Sequence, residues 1–158
     1  MIGMVAQEAI TERNSSERSV LNVGLDPRVL DAADSADAAF PGVGADQVQA
    51  GLEATAAEFA KLGVGFDNCL VDRSEGAEEQ LRDALSKKRY DVIVFGGGVR
   101  LDPAMTPLFE KLVNVARIGA PDTALSFNTG PDTTVAAALR WIADLRPGDA
   151  LTPVADPQ

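Results

Sequence analysis

Histidine is absent from all 158 residues. Its absence excludes Ser-His-Asp and Cys-His catalysis, histidine-ligated metals and histidine-based pH switching. Cysteine is nearly absent too. The single thiol, Cys69, cannot close an internal disulfide, and there is no cysteine cluster to hold zinc. That usage fits a reducing compartment and predicts a cytoplasmic location. Basic residues are outnumbered, 14 Lys and Arg against 24 Asp and Glu, giving a formal charge of −10 and a pI near 4.4. The summed field repels nucleic acids and anionic membrane surfaces, so neither is expected as a partner. No apolar run is long enough to span a bilayer. Met1 to Ser19 has neither the basic leader nor the apolar core of a signal peptide. The few aromatics, Trp141 and Phe109 among them, read as packing residues on helices.

Familiar catalytic and nucleotide motifs are missing as well. There is no G-x-x-x-x-G-K-[ST] and no G-x-S-x-G. Gly42-Val43-Gly44-Ala45-Asp46-Gln47 copies the start of G-x-G-x-x-G, but it ends in Gln47 and does not directly follow a strand. No motif indicates a cofactor.

What is present points to one packed domain. Hydrophobic residues make up 46% of the chain, which argues against disorder, and its length suffices for a sizeable core. The organising stretch is Tyr90 to Arg100. Its centre, Val92 to Phe95, is a β-branched and aromatic run without polar alternation, as in a central strand buried on both faces. Gly96, Gly97 and Gly98 follow at once, where the backbone turns sharply or another group approaches closely.

Residues 1–19 read as an N-terminal extension, with a short helix over Ala6 to Arg13. Residues 20–146 form a single α/β domain, and 147–158 a tail. Strands are expected at Val20–Leu25, Phe66–Val71, Val92–Phe95 and Thr123–Phe127. A helical turn near Arg28 to Ala33 opens the long connection Arg28 to Ala45. Amphipathic helices follow at Ala45–Leu62, with Val48, Leu52, Ala56, Phe59 and Leu62 inward, and at Glu75–Lys88, capped by Ser74. The last two start at Thr106, with Leu108, Leu112, Val115 and Ala116 inward, and at Thr133 behind an Asp132 cap, with Val135, Leu139 and Ile142 inward. Gly63 stops the first of the four amphipathic helices.

Strands alternating with helices imply a parallel sheet with right-handed crossovers. Placing the two most apolar strands inside gives the order 2-1-3-4 in a three-layer αβα sandwich. This architecture resembles a flavodoxin-like fold with four strands instead of five. It lacks the Ser/Thr-rich phosphate cradle of flavodoxins. It also lacks the acidic pair and phosphoacceptor aspartate of receiver domains.

In such a sheet, ligands bind at the carboxyl ends of the strands flanking the switch point, here the first and third. Asp26 and Arg28 follow the first strand; Gly96, Gly97, Gly98 and Arg100 follow the third; Asn128 follows the fourth. Glycine amides and Arg100 suit a small anionic molecule. Arg28, Arg73 and Arg100, each near an aspartate, also suit either an anion rim or local ion pairs. Asp26, Asp72 and Asn128 are ordinary strand-end turn residues, so no metal site is expected. The loop Arg28 to Gly44, with Phe40 and Val43, is expected to close over the crevice. Cys69, inside a strand, should be an inert buried thiol.

Three functions follow from these residues. The first is binding of a small anionic metabolite at the first/third-strand crevice. The second is a small enzyme, a hydrolase or lyase, using Asp26 and the Gly96–Gly98 amides. The third is a structural or oligomerisation role without a ligand. Open sheet edges further predict a homodimer.

Overall fold

A computed structural model describes residues 18–32 and 44–142. The helix expected over Ala6 to Arg13, the loop carrying Phe40 and Val43, and the tail lie outside the described residues.

The sheet is parallel, four-stranded and ordered β2-β1-β3-β4. Its strands are β1 Ser19–Leu25, β2 Gly65–Val71, β3 Val92–Phe95 and β4 Ala124–Phe127. The helices are α1 Pro27–Ala32, α2 Ala45–Leu62, α3 Ala77–Lys87, α4 Thr106–Gly119 and α5 Thr134–Ile142. Two short 3₁₀ turns, Gly97–Val99 and Pro103–Met105, lie between β3 and α4. This is the flavodoxin-like αβα sandwich expected from the alternation.

Strand alternation divides the core. Leu21, Val23, Ile93 and Phe95 pack against Leu81 of α3 and Leu112, Val115 and Ala116 of α4. Val20, Val92, Val94 and Ala124 face the other way, against Phe59 of α2 and Val135, Ala138 and Ile142 of α5. All of β1 and β3 is buried, as a continuous apolar run in a parallel sheet requires. Each such Val, Leu or Ile contributes roughly 1.5–3 kcal/mol by leaving water.

Several local expectations shift. On α2 the inward row is Val48, Leu52, Thr55 and Phe59, while Ala56 and Leu62 face outward. Steps of four, three and four keep that row on one side, and Ala56 falls a position behind it. Ser74 stands outside α3: its hydroxyl accepts from the Gly76 N–H (3.3 Å), and Gly76 takes the N-cap position. Thr133, rather than Asp132, organises the entry to α5, accepting from the N–H groups of Thr129 (2.8 Å) and Gly130 (3.1 Å). Gly63 does stop α2, in the left-handed conformation with φ 73°.

Polar residues on edge strand β2 have specific partners. Asp67 accepts from the Tyr90 hydroxyl (2.8 Å) and from Lys88 Nζ (3.1 Å). Two residues on, burial pushes the Cys69 thiol up to about 11. The Tyr90 phenol is also raised, by burial first and then by Asp67. Both groups hold their proton more tightly folded than unfolded. Their contribution to stability is therefore full below the unfolded thiol value of 9.0 and is lost as pH climbs through the folded values. Tm should fall between about pH 9 and 11, less steeply in Cys69→Ala than in the parent protein. Parallel pH profiles of the two would refute a role for the thiol.

Candidate functional site

The site grows out of the register of the sheet on its α2/α5 face. One row across that face reads Asn68, Asn22, Val94, Ser126. One step nearer the carboxyl ends, Leu70 pairs with Gly24, and Gly96 follows β3, tied to β1 through its N–H to the Val23 carbonyl (2.9 Å). Glycine thus stands at this level on both central strands' lines, Gly24 within β1 and Gly96 directly after β3. The result is a slot between the sheet, α2 and the start of α5, with a volume of about 50 Å³. That is room for roughly three to five waters. Gly24 and Gly96 form its floor; Val48, Leu52, Leu70 and Pro131 make most of its wall apolar.

The glycines differ in their reasons. Gly24, Gly96, Gly97 and Gly98 all have ordinary negative φ, so none is there for a left-handed turn. After Gly96 the chain enters the 3₁₀ turn Gly97–Val99, whose first two N–H groups have no intrahelical acceptor. At Gly98 a Cβ would fall 2.8 Å from Leu25 Cβ, so close packing of the two loops excludes a side chain. At Gly24 a Cβ would meet Asn22 Nδ2 at 3.4 Å and Leu70 Cδ2 at 3.5 Å, and at Gly96 the nearest atom is 3.6 Å away. These are tolerable contacts. What a side chain would remove at those two positions is the slot.

Of the residues expected from sequence, Gly96, Gly97, Gly98 and Asn128 line the slot; Asp26, Arg28 and Arg100 do not. The Asp26 carboxylate accepts from the Arg28 N–H (2.9 Å) and pairs with its guanidinium (2.6 Å) at the start of α1. These hydrogen bonds from Arg28 hold the carboxyl below the usual range. Arg100 is a clasp between the loops after β3 and β4. Its Nε donates to the Phe95 carbonyl (3.1 Å), and its Nη2 donates to the Asn128 carbonyl and side chain. Its guanidinium also lies over the Phe127 ring, 5.7 Å from the centroid. Burial lowers the Arg100 pKa. Asn128 in turn donates to Thr134 Oγ1 (3.0 Å). Arg28 and Arg100 therefore do not converge on an anion. Arg28 forms the local ion pair expected of Asp–Arg neighbours, while Arg100 meets carbonyl oxygens instead. No charged side chain among the described residues lines the slot.

Sequence reasoning missed Asn22 and Gly24 as lining residues. The signal was there: Val20-Leu21-Asn22-Val23-Gly24-Leu25 places an amide and a glycine on one face of an otherwise apolar central strand. Asn22 is 4% exposed, and its Nδ2 donates to Asn68 Oδ1 (3.0 Å). Asn22 Oδ1 is the one buried side-chain polar atom among the described residues with no hydrogen-bond partner. Compared with known proteins, the chain matches no family model and no curated protein sequence.

Proposed function

We propose that this chain is a small-molecule binding domain whose ligand occupies the slot between the carboxyl ends of β1 and β3. The observation that carries the reading is the glycine pair Gly24 and Gly96. It empties the sheet surface at the switch point although neither position demands glycine conformationally. A strand prefers a β-branched residue, so Gly24 within β1 sacrifices stability. For the anionic metabolite expected from sequence, the available donors are the Gly97 and Gly98 amides. Binding is favoured over acid–base catalysis because Asp26 is held ionised by Arg28 and stands outside the slot.

Gly24→Val tests this directly. A Cβ there meets only the side chains of Asn22 and Leu70, and the methyls beyond it would occupy the slot. In a thermal-shift screen of metabolites, ligands near 100 times their Kd should stabilise the parent protein by about 2.7 kcal/mol, or several degrees. Gly24→Val should lose those shifts while its own unliganded Tm stays level or rises. Equal shifts in both proteins, or none in the parent, would overturn the reading.

A further inference from the structure

Resting on that slot as the site, we infer that its ligand enters head first with a carboxylate, held by the uncharged donors of Asn22, Asn128 and Thr134. All three residues line the slot and are buried, at 4%, 6% and 5% exposure. Each keeps one hydrogen for which no described residue supplies an acceptor. Asn22 Nδ2 spends one N–H on Asn68 Oδ1 (3.0 Å), and Asn128 Nδ2 spends one on Thr134 Oγ1 (3.0 Å). An amide nitrogen carries two. The Thr134 hydroxyl accepts the bond from Asn128, and its own proton is unspent. The floor of the slot brings the two amide nitrogens together. A Cβ at Gly24 would stand 3.4 Å from Asn22 Nδ2, and one at Gly96 would stand 4.0 Å from Asn128 Nδ2. The Gly96 position also lies only 3.9 Å from Gly24 Cα, so a group resting on the bare backbone there is near both amides.

The side-chain acceptors are not on offer. Asn22 Oδ1 is closed off inside the structure, and Asn128 Oδ1 accepts from Arg100 Nη2 (3.3 Å). The head group should therefore accept hydrogen bonds and donate none. That removes an ammonium, and a carboxamide would set its own N–H groups against those of the slot. A single carbonyl oxygen has two lone pairs, fewer than the three donors. A carboxylate offers about four acceptor sites on two oxygens. Hydrogen bonds to an ionised acceptor are the stronger kind, and they offset the cost of burying its charge where no cation lines the space. A flat head of three heavy atoms also suits a volume of about 50 Å³, with an aliphatic body against Val48, Leu52 and Pro131.

Butyrate, butyramide and butylamine are the probes: one aliphatic chain with an acceptor-only head, a mixed head and a donor-only head. The full chain, labelled with ¹⁵N, is titrated with each in one buffer. Butyrate should move the Gly24 and Gly96 amide resonances and the side-chain pairs of Asn22 and Asn128 saturably. Butyramide should bind there at least ~10-fold more weakly, and butylamine should leave those resonances still. Asn22→Leu, close in volume, should weaken butyrate by ~10-fold or more, because it removes one charge-assisted bond. Its Tm should not fall, since the buried Oδ1 without a partner goes too. The probe comparison uses the parent chain, so it stands even if the variant misfolds. Butyramide or butylamine matching butyrate at these resonances overturns the carboxylate assignment and leaves the slot as the site. Silence from all three probes, or an undiminished butyrate response in folded Asn22→Leu, overturns it too. The slot itself is judged separately by the Gly24→Val screen, whose metabolites carry heads of every kind.

Discussion

Val94→Asp should show no cooperative unfolding transition, because it should have no folded state to lose. Val94 is wholly buried at the centre of β3, paired with Asn22 of β1 and Ser126 of β4. It belongs to the apolar cluster containing Phe59, Val20 and Val135. Neither polar neighbour carries a charge that could neutralise a carboxylate. The Asn22 amide donates to Asn68, and the Ser126 hydroxyl donates to the Ala137 carbonyl (2.7 Å). An unpaired buried charge costs several kcal/mol. Domains of this size hold only about 5–15 kcal/mol in total. Circular dichroism through a thermal ramp decides the matter. A sharp transition in Val94→Asp would mean that β3 is not central.

The second large effect concerns the glycine run, where adjacent positions should behave differently. Gly98→Ala places a methyl 2.8 Å from Leu25 Cβ. That atom is anchored to buried β1 and cannot swing aside as a side-chain tip can. Relief requires the Gly97–Val99 turn to move, and overpacking of this kind costs about 1–3 kcal/mol. Gly24→Ala and Gly96→Ala meet nothing closer than 3.4 Å and should stay within about 1 kcal/mol of the parent. Urea denaturation of the three variants separates them. Equal stability for Gly98→Ala and Gly24→Ala would show that the loops after β1 and β3 are not locked together.

The fold was legible because each element announced itself locally. Val92 to Phe95 could only be an inner strand, and Ala45 to Leu62 has the same bounds in the structure as in the sequence pattern. The strand order followed from which runs were most apolar. The site was only half legible. Rules of topology found the crevice and the Gly96–Gly98 turn, since they depend on strand order alone. They misjudged Arg100 because its partners are main-chain carbonyls of Phe95 and Asn128, which carry no sequence signature. They passed over Asn22 because a single amide in a strand acquires meaning only once its row neighbours are known, and the register supplies those.

The placement of β1 also has a consequence for how the chain is made. Of the four described strands it is synthesised first, yet it lies inside the sheet, and its partner Val92 emerges long after Val20. β2 can pair first, on one side. Until β3 arrives, the other side of β1 is a bare edge of nearly unbroken aliphatic chain, the kind of surface that recruits other strands. Asn22 and Gly24 interrupt that run at alternate positions. Both are poor strand formers, so the two residues that line the slot also lower the strand propensity of that temporary edge.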